Sequence, residues 1–268
     1  MKRIIFLVFT GILLFGMISV FVSCNRDSNE GKLICGVTEF EPMNWRDASG
    51  NWTGFDTDLA ILVGEKLNMT VEFQEIEWAA KYQELEAGTI TVIWNGFTAN
   101  ASEDGRPRSD MVDFSYSYLR NQQCVVVRVE RANEFGSVNV LEGKTAAAES
   151  GSAGESFVKT AIGDSGIVIG TPAQINTFLE VKSGAVDFAV VDILLAQRLA
   201  GSGDYSDLVI ADITLDFEVY AVGFTKGNEL RDRVNQALKE LYEEGKMMEL
   251  ARKYGLEDSL VLDTTFRG

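Results

Sequence analysis

Apolar runs and amphipathic stretches alternate along this chain in one order, and that order occurs twice. Residues 33–37 read as a strand and 55–67 as a helix with Leu59, Leu62, Val63 and Leu67 on one face. Residues 71–74, 79–86 and 91–94 follow as strand, helix and strand. The second round has strands at 124–129, 144–148, 166–170 and 186–191, with helices at 152–161, 172–181 and 193–199. Strands at 207–210 and 219–224 close the β content. Two helices then end the chain: Asn228 caps the first, Gly245 breaks it, and 246–254 stops at Gly255. Strands alternating with helices predict an α/β fold of two units, each a mostly parallel sheet flanked by helices. Ligands of open α/β sheets sit at the carboxyl ends of the strands, and two such sheets face to face make a cleft.

The first residues read differently. Lys2 and Arg3 precede a stretch, 4–22, without a charge, and Ser23-Cys24 then lead into the polar run 25–32. A basic start, an apolar core and a small residue before the junction read as an export signal over 1–23, with 24–32 as a tether. Cys24 after Ser23 resembles a bacterial lipobox, in which the thiol carries the lipid; Phe21 stands where leucine is usual. The stretch is also long enough for an uncleaved anchor, or for the signal of a soluble exported protein. Each version puts the body of the chain outside the cytoplasm.

Composition removes several classes of function. The chain has no histidine, which excludes Ser-His-Asp and Cys-His nucleophile systems and histidine-ligated metals. It has 40 acidic against 24 basic side chains, a net charge of −16, and loss of Lys2 and Arg3 with residues 1–23 leaves −18. Nucleic acid is excluded as a partner, because phosphate backbones need clustered Lys and Arg. Cys35 and Cys124 lie in apolar strand-like runs and are expected as free thiols, with a disulfide as the alternative. No cysteine spacing suits a metal, and no cofactor is expected.

The heptapeptide Gly54-Phe55-Asp56-Thr57-Asp58-Leu59-Ala60 resembles the signature of family 3 solute-binding proteins, the extracytoplasmic receptors of polar amino-acid ABC importers. The resemblance runs from about 33 to 256. It includes Phe40-Glu41-Pro42-Met43, Trp94-Asn95-Gly96-Phe97-Thr98, Asp113-Phe114-Ser115 with Tyr118, Gly151-Ser152-Ala153-Gly154, Val190-Val191-Asp192, and the terminal helices over 240–254. It implies a two-lobed, type II periplasmic-binding-protein-like fold with two hinge crossings: lobe 1 from 33–122 and 222–268, lobe 2 from 123–221. It also implies a monomer that clamps a free polar L-amino acid and presents it to ABC permease subunits, with a lipid on Cys24.

The clamp that the resemblance implies is physically coherent. Ser152 and Ala153 at a helix start would meet the α-carboxylate, and Asp192 at a strand end the α-ammonium; the competing reading of both is as helix caps. Asn95, Gly96 and Thr98 would complete the shells. An arginine that the family places five residues after the position of Thr98 has moved: residue 103 is Glu, and 99–105 look like an insertion of about five residues. Counting back from Asp113 picks Arg108, with Arg106 as the alternative. Phe40 would stack on the ligand side chain, with Trp78 or Trp94 as a second wall. Glu41, beside Glu39, would pair with a cationic side chain, whereas Asn95 suits neutral polar ligands. The competing functions are a dehydratase on the same scaffold and a stand-alone amino-acid sensor; no carboxylate in the sequence is marked as a general acid.

Overall fold

The computed structural model describes residues 31–265, so the signal and lipid-site readings at 1–23 and Cys24 lie outside the described residues. Two sheets organise the rest. The first has the order Thr70–Glu75, Lys32–Val37, Val92–Ile93, Gly223–Phe224, Asp113–Phe114. The second runs Ile167–Thr171, Thr145–Glu149, Phe188–Asp192, Ser117–Arg128, Leu208–Ile210. In each, the strands joined by crossover helices are parallel, and the strands that bring the chain across are antiparallel. Each sheet is therefore mixed, because only three of the five strands in each order come from strand–helix–strand units.

The twelve-residue strand Ser117–Arg128 joins the two halves. Gln123–Val126 pair with Ala189–Asp192 in the second sheet, and Leu119–Gln122 pair with Phe217–Tyr220. The sequence pattern predicts only the apolar part of this strand from 124, since Asn121-Gln122-Gln123 carry no apolar face. The single strand predicted at 219–224 is likewise two. Phe217–Tyr220 pairs with the long strand, Gly223–Phe224 belongs to the first sheet, and the chain changes sheets between them. A strand at Leu260–Asp263, not predicted, also pairs with Ser117–Arg128.

Burial follows the alternation of strand side chains. Val125 and Val127 enter one apolar cluster with Phe135, Val158 and Phe188, while Cys124 and Val126 enter another with Phe178, Val181 and Leu195. Covered on both faces, this part of the strand reads as an unbroken apolar run. In the first sheet, helix Phe55–Leu67 packs against Leu230–Glu243 and Lys246–Tyr254. Gly54, with φ 131°, starts that helix where a Cβ would stand 2.1 Å from the Met43 carbonyl oxygen, so only glycine fits. Cys35 and Cys124 are buried free thiols, and burial pushes both up.

The predicted insertion is a hairpin of Ser102–Glu103 against Arg106–Pro107. Its two-residue turn, Asp104-Gly105, has positive φ at both positions, as a type I′ turn requires. The hairpin contacts helix Ala153–Ile162 of the second sheet, and it turns Glu103 inward.

Candidate functional site

Phe40, Trp78, Asn95, Gly96, Thr98, Arg108, Glu149, Ser152, Ala153, Gln174 and Asp192 line one narrow cavity between the strand ends of the two sheets. Eight of these are residues of the clamp expected from sequence; Trp78 was one of two candidates for its wall. Glu41 is not among them: it is half-exposed, with Oε1 3.9 Å from Arg198. Glu39 sits beside Arg46 at 3.9 Å, also away from the cavity. Trp94 is buried in the first core beside Tyr118, so the aromatic walls are Trp78 and Phe40. Phe40 lies edge-on to Tyr220 at 6.4 Å.

The first sheet's contribution is held by a buried network. Asn95 Nδ2 donates to Thr38 O at 3.1 Å and Asn44 Oδ1 at 2.7 Å, while its Oδ1 accepts from Thr38 N and Oγ1. Its amide is thus committed to pinning the 38–44 loop to the strand end, which removes the argument that Asn95 favours neutral ligands. Gly96 N donates to Asp56 Oδ2 at 2.7 Å, and Tyr118 Oη donates to the same oxygen at 3.0 Å. Burial pushes the Asp56 carboxyl up to about 7. Gly96 has φ 53°, and a Cβ there would meet Phe40 at 2.5 Å, so this glycine lets the ring close over the backbone.

Arg108, not Arg106, enters the cavity: Arg106 is exposed on the hairpin, whereas Arg108 is 1% exposed. Its guanidinium lies over the Phe97 ring at 4.8 Å. Nη1 donates to Thr98 O at 2.8 Å and Nη2 to Gly151 O, on the second sheet's side, at 3.2 Å. The anion beside it is Glu103, whose Oε1 stands 2.7 Å from Arg108 Nη2 and 2.9 Å from Lys81 Nζ. Lys81 is itself buried and donates to Gly151 O at 2.9 Å. Burial, with Arg108 adjacent, lowers the Lys81 ammonium to about 8. The sequence reading missed both Lys81 and the inward turn of Glu103.

Across the cavity, Ser152 caps helix Ala153–Ile162: its Oγ accepts from Glu155 N at 3.0 Å, and Glu155 Oε2 accepts from Gly151 N at 2.9 Å. The cap commits the Ser152 hydroxyl to the helix, the Glu155 carboxylate reaches back one residue beyond the usual capping box, and the Ser152 N–H goes to Glu149 O at 3.1 Å. Ala153 and Gly154 are then the first-turn positions whose N–H groups no intrahelical carbonyl can take.

Asp192 immediately precedes helix Ile193–Leu199 but makes no capping bond to it. Its carboxylate instead accepts from Gln123 Nε2 at 3.0 Å, Tyr220 Oη at 2.8 Å, Asn121 Nδ2 and Gln174 Nε2. All four donors are neutral, and no Lys or Arg pairs with Asp192 among the described residues. Burial, reinforced by the nearby Glu218 carboxylate, pushes its carboxyl up. Gln174 N-terminal in its helix, and Asn121 and Gln123 on the crossing strand, gave no sequence signal beyond being polar near strand ends.

The family model of bacterial extracellular solute-binding proteins, family 3, matches residues 33–257, and the chain belongs to that family. The arginine-binding extracellular protein ArtP of Bacillus subtilis (strain 168) is 27% identical over 237 residues, 87% of this chain and 90% of ArtP. An ancestral arginine-binding protein solved with arginine is similar at 30% identity and TM-score 0.77, over 84% of this chain and 99% of the other. An ABC uptake transporter substrate binding protein from Streptococcus pneumoniae with bound histidine gives 29% identity and TM-score 0.76, over 87% and 95%. The fold is that of the two-lobed type II binding proteins, and the family places the chain outside the cytoplasm.

Proposed function

We propose that this chain is the substrate-binding receptor of an amino-acid ABC importer. A polar L-amino acid is held between lobe 1 (33–122 with 222–268) and lobe 2 (123–221), which close about the two crossings, and is handed to the permease. Arg108 with the Ala153 and Gly154 N–H groups takes the α-carboxylate, and Asp192 takes the α-ammonium. Phe40 and Trp78 flank the side chain. The observation that carries this reading is that Arg108 and Asp192 line one cavity from opposite sheets, each anchored by its own hydrogen bonds. Micromolar binding corresponds to about −8 kcal/mol. A few hydrogen bonds to charged groups, about 1.5–3 kcal/mol each, supply that after the cost of closure.

A lipid on Cys24, with 25–32 as tether, holds the monomeric receptor beside its permease. The test is a thermal-shift screen of the detergent-solubilised chain against the twenty amino acids, ornithine and cystine. A ligand at 100 times its dissociation constant adds about 2.7 kcal/mol. No shift with any of them refutes the reading.

One observation favours a second reading. Burial pushes the Glu149 carboxyl in the cavity up to about 8, the property of a general acid that an enzyme on this scaffold needs. Elimination of water from a prephenate-type substrate, followed by absorbance, separates the two: turnover supports the enzyme, binding without turnover the receptor.

A further inference from the structure

Glu149 has no part in the clamp just described, yet it is built into the cavity wall. It ends the strand Thr145–Glu149 and is 3% exposed, and its Oε1 is buried with no hydrogen-bond partner among the described residues. The nearby cations do not serve it: Lys81 and Arg108 both point to Glu103 and the Gly151 carbonyl. A buried carboxylate left this way carries a desolvation penalty that only a partner offsets.

Charge around the cavity gives the partner its sign. Lys81 and Glu103 cancel, and Arg108 stands against Glu149 and Asp192, with the Glu218 carboxylate behind Asp192 adding to the negative side. With a neutral zwitterion that negative excess stays unbalanced, or Glu149 keeps its proton to avoid it. An amino acid with a second cation on its side chain offsets it, and Trp78, whose ring already has Lys81 Nζ 5.3 Å from its centroid, adds aromatic wall beside an aliphatic stem. Family membership leaves this open, since its relatives are named for different side chains.

We propose that Glu149, beside Asp192, makes the cleft selective for an amino acid carrying two cationic centres, of the lysine, ornithine or arginine class. The inference rests on the amino-acid reading above and adds the side chain to it. Glu149 meets one cationic centre and Asp192 the other.

The test compares shape-matched pairs by calorimetric titration of the detergent-solubilised chain at pH 7.5: lysine against norleucine, and arginine against citrulline. A charge-assisted hydrogen bond of about 1.5–3 kcal/mol predicts that the cationic member of at least one pair binds on the order of 10–100-fold tighter. In Glu149→Gln, and in Glu149→Leu, that ratio falls about tenfold or more while the neutral member keeps or gains affinity. A ratio near one in the natural chain overturns the proposal, whatever the variants do. So does a ratio preserved in a variant that still binds. If glutamine or cystine binds and no cationic ligand is preferred, this inference fails and the receptor reading stands. If no amino acid binds, both fail together.

Discussion

Glu149 should make the ligand-free protein less stable as pH rises, and the size of the effect follows from its surroundings. Burial, with Asp192 adding repulsion, raises its carboxyl to about 8 against the opposing pull of Lys81 and Arg108, with Glu77 a further repulsive neighbour. In the unfolded chain the same group releases its proton near pH 4.3. Between these values the folded state holds a proton that the unfolded state has lost, so stability falls with rising pH. Each pH unit in that window costs about 1.4 kcal/mol, or about 3 kcal/mol from pH 5.5 to 8. Glu149→Gln cannot titrate. Its amide brings a pH-independent offset, so the diagnostic is the slope: the stability of the variant relative to the natural chain should grow by about 3 kcal/mol over that interval. Urea unfolding followed by tryptophan fluorescence measures it, and in a thermal melt the same difference is roughly 6–12 °C for a chain of this size. Asp192, raised by the same physics, leaves a residual slope in the variant. Parallel pH profiles for the two proteins would refute the burial argument for Glu149.

Three further outcomes follow from single contacts. Asp192→Asn should weaken amino-acid binding about 10–100-fold by titration calorimetry, because it removes the anion while keeping the shape. The refuting result is an unchanged affinity. Glu103→Ala should lower stability by about 3–5 kcal/mol in urea unfolding, since it leaves the buried Lys81 and Arg108 without their shared carboxylate. A loss under about 1 kcal/mol would mean that water takes its place. Gly96→Ala should cost about tenfold or more in affinity, because its Cβ meets Phe40 at 2.5 Å in a left-handed backbone that disfavours alanine; full affinity would show that the ring is free to move.

The parts of the fold legible in the sequence are those where a local pattern and burial agree. Helix Phe55–Leu67 and helix Lys246–Tyr254 have the predicted limits, because a glycine with positive φ marks the start of each and left-handed Asn68 or Gly255 ends it. Ser117–Arg128 was only half visible: Asn121 and Gln123 look like surface residues, and only the strand's passage between the two sheets turns them onto Asp192. Glu149 closes an alanine-rich strand and reads locally as a solvent-facing end. Its burial depends on the opposing sheet, which no window of sequence contains. Glu103 was noticed only as the residue standing where an arginine was expected; the tight Asp104-Gly105 turn is what folds it back on Arg108.

The two ends of the cavity are prepared in opposite ways, and the difference bears on selectivity. Arg108 has a counter-ion of its own in Glu103, so a ligand carboxylate arriving there must share the guanidinium with an anion already present. Asp192 is fixed by four neutral donors, which orient the carboxylate without neutralising it. Electrostatic attraction between charges in a low-dielectric site is large, and it accrues where charge is uncompensated. Discrimination among amino acids should therefore arise mainly at the cation end, where Asp192 and the unpartnered Glu149 oxygen lie, with the carboxylate end setting orientation. A ligand series methylated at the carboxyl group or deleted at the ammonium group separates the two. Loss of an ammonium group should cost more affinity than conversion of the carboxylate to its ester, and the reverse order would place the dominant interaction at Arg108.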